Sequence, residues 1–215
     1  MIALFFEVTP HLGQDDRYLE IAAALRPALD ASGGVIYLDR FRSQLRARVM
    51  LSHQIWRDEA SLARWRANGR HHGAQTAGRS AVFEDYRLRI GAIVAARNDD
   101  GRIAETASAI PYNDPARKPE RFMAVVRSSG TPFVAPHFAG QGVETYRSVY
   151  DETQLAWVAA MPDRATGLAL IQHAAADSCV SAAQLCLVSR DYGMFDRGEA
   201  PQYFAEAGSK QSPAT

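Results

Sequence analysis

The stretch SAVFEDYRLRIGAIVAA, residues 80–96, is the longest strand candidate in the chain. Its period is two: Val82, Tyr86, Leu88, Ile90, Ala92 and Val94 share one face, and Phe83, Asp85, Arg87 and Arg89 share the other. An apolar face of that length has to be covered by another element. The residues upstream supply both the cover and the partner strands.

Moving towards the N-terminus, a helix is predicted from Asp58, an N-cap residue, through Ala60, Leu62, Ala63 and Trp65, weakening at Asn68-Gly69, with His71 to Gly78 as a further turn. Before it, Val35 to Arg42 and Arg48 to Trp56 read as a hairpin. Helical spacing of Tyr18, Leu19, Ala22, Leu25 and Leu29 ends at Ser32-Gly33-Gly34, and Ile2 to Val8 is an apolar first strand. The order is β-α-β-β-α-β, the ferredoxin-like unit.

Moving towards the C-terminus, residues 98–119 are rich in Asp, Pro and Arg and read as a linker between a domain at 1–97 and another at 120–215. The second segment repeats the first. A shift of 105 aligns Phe41-Arg42-Ser43 with Tyr146-Arg147-Ser148 and Asp58-Glu59-Ala60-Ser61 with Asp163-Arg164-Ala165-Thr166; one residue of slip aligns Asp85-Tyr86 with Asp191-Tyr192. Strands are predicted at 121–127, 143–150, 155–161 and 183–192, with a helix at 163–175. The slot of the first helix holds the Pro- and Gly-containing segment 128–142, so the duplication is degraded. The fold class expected is α+β, two ferredoxin-like units whose sheets close on each other into an intramolecular α+β barrel enclosing a pocket at the seam.

Bulk properties narrow the function classes. The 24 basic and 24 acidic side chains cancel, which gives no reason to expect a nucleic acid or anionic membrane partner. No apolar run approaches a membrane span and the N-terminus lacks the pattern of a secretory leader, so a cytoplasmic location is expected. Cys179 and Cys186 do not suggest a disulfide framework. Nucleotide-binding, α/β-hydrolase and zincin signatures are missing, and no metal site is suggested.

The sequence resembles the antibiotic-biosynthesis monooxygenase family of the dimeric α+β barrel superfamily. The resemblance is carried by Phe6-Glu7-Val8, residues 34–41 (GVIYLDRF), residues 56–60 (WRDEA), Trp65, His72, Gln75 and residues 83–89 (FEDYRLR); in the second half it rests on residues 190–197 (RDYGMFDR) and 199–203 (EAPQY). It implies a tandem member that is either an oxygenase using no metal or flavin, acting with O₂ on a small aromatic, quinol or polyketide-like molecule, or a haem-degrading enzyme. Haem degraders carry a ligating histidine ten residues past the second tryptophan, where this chain has Gln75, and an amide does not replace an axial imidazole. The asparagine of their first strand is also absent from Leu4-Phe5-Phe6-Glu7. No cofactor is therefore expected, with haem as the alternative, held by His71, His72 or His137. A third reading is a binding or accessory protein without turnover, as a monomer or homodimer.

Oxygenation without a cofactor needs a base, a dry pocket and a donor for a developing oxyanion. His72 matches the position at which relatives carry histidine and is the candidate base; the alternative is a solvated helix-end imidazole. Trp65 and His53 complete the catalytic candidates, His53 sharing a strand face with Leu51 and Ile55 and reading equally as a buried core histidine. Trp56, Arg87, Arg89, Tyr86 and His137 are the substrate-binding candidates. Both tryptophans also read as anchors between helix and sheet, and both arginines as solvated charge.

Overall fold

Each unit's sheet is apolar on both faces, so one face seeks helices and the other seeks a second sheet. The computed structural model describes residues 1–106, 120–135 and 143–200. The first unit comprises β1 (Ile2–Pro10), α1 (Asp15–Ser32), β2 (Val35–Ser43), β3 (Met50–Trp56), α2 (Glu59–Arg66), α3 (Gly69–Ala77) and β4 (Phe83–Arg97). The second comprises β6 (Phe122–Ser129), β7 (Glu144–Ser148), β8 (Gln154–Met161), α4 (Arg164–Ala175) and β9 (Val180–Gly193). A short strand, β5 (Ile103–Glu105), folds back onto the end of β4 inside the stretch expected to be linker.

The strand order is β4-β1-β3-β2 in the first unit and β9-β6-β8-β7 in the second, the same permutation twice. Antiparallel pairing of β2 with β7 and of β4 with β9 closes the eight strands into a barrel, as expected from the duplication. The internal repeat is written into the register. Phe41, Arg42 and Ser43 pair with Ser148, Arg147 and Tyr146, so residues related by the shift of 105 exchange places about Arg42 and Arg147.

The barrel interior does not hold the expected chamber. Phe5, Phe41, Leu51, Ile55, Ile93, Met123, Val125, Val158 and Val188 meet there and form one buried cluster drawn from all around the ring. Eight strands leave an interior that side chains can fill. One polar end of this interior is tied across the units: Arg46 binds Glu7 at 3.0 and 2.9 Å and Glu144 at 2.8 Å, and the Tyr146 hydroxyl donates to Glu7 at 2.9 Å.

Two close approaches fix how the layers sit. A Cβ on Gly91 would lie 2.5 Å from the carbonyl oxygen of Leu187, so only glycine allows the β4–β9 seam to close at its bulge. A Cβ on Gly167 would lie 2.4 Å from Leu185, so α4 lies directly on the second sheet, with Leu170, Ile171 and Ala174 fully buried. Between β6 and β7, residues 130–135 have no regular structure, and 136–142 lie outside the described residues.

Two local readings change. The strand expected from Ser80 begins at Phe83, because Gly78–Val82 forms a π-helical turn that continues α3. Phe83, assigned to the face of Asp85, instead packs with Val8, Tyr18 and Val82, because the register of β1 on β4 shifts between Thr9 and Pro10.

Candidate functional site

A cavity of about 190 Å³ lies between the first sheet and helices α1 to α3, on the face opposite the barrel interior. Strand alternation sets its floor. One row across the sheet runs Tyr192, Leu88, Phe6, Ser52, Arg40, and the next runs Arg190, Ile90, Leu4, Gln54, Leu38; every member lines the cavity. Tyr192 and Arg190 belong to β9, so the second unit provides one edge of the first unit's site.

Helical periodicity sets the roof. His71, Ala74, Gln75, Gly78 and Val82 recur at spacings of three and four, and Tyr18, Ala22, Leu25 and Leu29 do the same on α1. Asp58 accepts the Ser61 N–H at 2.7 Å to start α2. The Asn68 side chain accepts the N–H groups of Arg70 and His71, starting α3 and fixing which face carries His71.

His71 stacks on Trp65, ring centroids 4.5 Å apart, and its Nδ1 lies 3.1 Å from the Trp65 carbonyl oxygen. A carbonyl only accepts, so Nδ1 carries the proton and Nε2 keeps its lone pair. Burial pushes the imidazole down to about 4, which leaves it neutral at neutral pH.

On the floor, Trp56 Nε1 donates to Gln54 Oε1 at 3.0 Å, and Gln54 Nε2 donates to Ser52 Oγ at 3.1 Å. With its oxygen used as an acceptor, the Ser52 hydroxyl keeps its own proton to donate. Ser52 and Trp56 are fully buried, and the chain of donors ends at the cavity.

The β9 edge is basic. Arg190 donates to Glu59 at 2.5 Å, joining the second unit to the start of α2. Arg79 and Arg197 both donate to the phenol oxygen of Tyr86, at 2.5 and 2.8 Å, and all three line the cavity.

Among the described residues no group of three or more His, Cys, Asp or Glu side chains is placed to hold a metal ion. His71 is the single imidazole among the described lining residues, so its Nε2 is the imidazole nitrogen there that would ligate a haem iron.

Residues 1–77 match the family model described as antibiotic biosynthesis monooxygenase. A protein of Pyricularia oryzae named jasmonate monooxygenase ABM is 35% identical over 224 residues, spanning 96% of this chain and 100% of its own. The chain belongs to the antibiotic biosynthesis monooxygenase family. Among solved structures, an antibiotic biosynthesis monooxygenase aligns over 44% of this chain and 99% of its own at 15% identity and TM-score 0.39. An anthrone oxidase-like protein aligns over 93% and 96%, at 12% identity and TM-score 0.38. No helix among the described residues is long and apolar enough to cross a membrane.

In this member of the family the residues singled out from sequence go to different places. Trp65 and Tyr86 line the cavity. Trp56 is fully buried beneath it and reaches it only through Gln54. His72 is exposed on the outer face of α3 and is not a lining residue, whereas its neighbour His71 is. His53 points into the filled barrel interior, stacked on Phe5 at 4.9 Å, with neither ring nitrogen hydrogen-bonded; burial pushes it down to about 3.

Arg87 and Arg89 also face the interior side, where both meet Asp191, at 2.6 and 3.7 Å. His137 lies outside the described residues. Sequence reasoning missed Ser52, Gln54, Arg79, Arg190 and Arg197. The helical stripe 71, 74, 75, 78, 82 was the signal that could have preferred His71 to His72.

Proposed function

We propose that this protein oxidises a small, mostly apolar organic molecule with O₂ in the helix-covered cavity, without a bound cofactor. The supporting observation is that a neutral imidazole, His71, and a hydroxyl with a proton to donate, Ser52, line the same mostly apolar cavity. The substrate class is an aromatic, quinol or polyketide-like compound with a methylene or phenol acidified by neighbouring carbonyl or aryl groups.

His71 Nε2 takes a proton from that carbon or oxygen, and the resulting anion is electron-rich enough to pass an electron to O₂. Recombination gives a peroxide on the substrate carbon, and loss of water leaves a carbonyl. The balance closes without a reductant: CH₂ becomes C=O, one oxygen atom enters the product and the other leaves as water. Ser52 donates to the substrate oxygen on which negative charge develops, with Gln54 and Trp56 holding its orientation. The apolar side chains of the roof, Ala22, Leu25, Leu29 and Val82 among them, limit competing protonation by solvent.

The name of the Pyricularia oryzae relative makes jasmonate a further substrate candidate for this chain. The test is oxygen uptake and ¹⁸O₂ labelling on chelator-treated protein with anthrone and hydroquinone probes, alongside an absorbance scan. Expected are one O₂ consumed per product, one labelled atom retained, and no Soret band. Activity that vanishes with chelator and returns with haem or metal would overturn the reading.

A further inference from the structure

Two carboxamides are among the described residues that line the cavity, and the protein uses them differently. Gln54, on the floor, is committed: its oxygen accepts from Trp56 and its nitrogen donates to Ser52. Gln75, on the roof, makes no side-chain hydrogen bond to any other described residue. It follows His71 by four residues on α3, a spacing that puts the two Cβ atoms about 5–6 Å apart on one face. The Asn68 cap that turns His71 inward turns Gln75 inward with it, while the next residues along, His72 and Thr76, are exposed.

His71 Nδ1 is held by the Trp65 carbonyl oxygen, so Nε2 is the nitrogen left for a ligand. A base and an amide N–H one helical turn apart address neighbouring atoms of one molecule, a C–H and the oxygen of the carbonyl beside it. We infer that Gln75 donates its N–H to the substrate's carbonyl oxygen while His71 takes the proton from the adjoining carbon, so that the pair catalyses enolisation as an activity of its own, without O₂.

The step balances without an oxidant. The C–H bond breaks, its electron pair forms the C=C bond, and the carbonyl π pair moves onto the oxygen that faces Gln75. The proton resides on Nε2 of His71, which is half-buried, and exchanges there with solvent before it returns to carbon. A carbonyl oxygen has two lone pairs, so donation by Gln75 is compatible with the donation assigned to Ser52. The inference rests on the proposed role of His71 as base, and not on what the enolate does with O₂.

The experiment follows deuterium entering anthrone, 1-indanone and 2-tetralone by mass spectrometry, with the full chain in heavy water under nitrogen. At least one ketone is expected to exchange ten-fold or more above the buffer rate, and His71→Ala should return it to that rate. Gln75→Met keeps the side-chain length without the donor, and it should lower kcat for exchange about 100-fold, as for a lost oxyanion donor, with KM little changed. In the infrared, the carbonyl stretch of the bound ketone should lie at lower frequency in the parent than in Gln75→Met. A circular dichroism melt checks folding, and Gln75→Glu, which also lacks the N–H donor, serves if Gln75→Met does not fold. No exchange above buffer with any probe, exchange in Gln75→Met within two-fold of the parent, or a loss confined to KM would overturn the assignment. Exchange without oxygen uptake in air would leave the enolising pair and remove the oxygenation; oxygen uptake without exchange would do the reverse.

Discussion

Neighbouring histidines on one helix have opposite fates because 100° of rotation separates them. His71 turns onto Trp65 and loses water; His72 stays exposed. Since burial lowers the folded imidazole of His71 to about 4, its free-base form persists well below the ordinary value near 6.5. The rate profile of kcat/KM should therefore keep its plateau down to about pH 5 and fall only as the pH nears 4. His71→Ala should cut kcat at least 100-fold, in the range of a lost general base, while His72→Ala leaves it within two-fold. An acid limb centred near 6.5, or a larger loss in His72→Ala, would move the base elsewhere. The residue types at this site were legible in sequence, since both histidines and both tryptophans stand out. Which of them meets the cavity depended on helix phase, and the phase was set by Asn68 capping α3, a detail that the weakening at Asn68-Gly69 indicated only as a break.

At the scale of elements, the sequence periods carried most of the architecture. The first strand, the hairpin and the helices begin where alternation, Gly-Gly and Asp58 place them. The exceptions share a cause. β4 starts late because residues 78–82 obey the helical stripe of α3, with Gly78 and Val82 both buried, and a window dominated by Val, Phe and Tyr conceals that in a strand-like composition. β5 was hidden because three residues carry too little pattern to separate from a linker. Gly91, unremarkable in an apolar run, is decided only by the approach of Leu187. Gly91→Ala should destabilise the protein by about 2 kcal/mol, since the obstructing atom is backbone and cannot rotate away. Urea denaturation checks this, and a loss under 0.5 kcal/mol would show that the seam has slack.

For the molecule as a whole, the two-sheet closure was legible because the repeat kept its element order, whereas the face of the first sheet on which the cavity lies was not. A degraded repeat tells that two sheets meet, yet whether their shared interior is empty depends on side-chain volumes from eight strands at once, and here they fill it. The chamber sits instead where three helices stand off one sheet. The polar edge supplied by Arg190, Tyr192 and Arg197 could not be read from the first half, because it belongs to residues more than 100 positions away. Because both seams are hydrogen-bonded sheet and one interior cluster spans both units, unfolding should be a single cooperative event. Tryptophan fluorescence, which reports Trp56 and Trp65 in one unit and Trp157 in the other, should give the same urea midpoint as far-ultraviolet circular dichroism, in the parent and in Trp157→Phe. Separate midpoints would mean that the halves melt independently.

The pairing of Arg42 with Arg147 has one more outcome. A ring assembled from two separate polypeptides opens on dilution, since its closure obeys mass action. Here both seams lie within a single polymer, so the barrel stays shut however few molecules share the volume, and catalysis per molecule should hold constant from micromolar stocks to the sparsest assay.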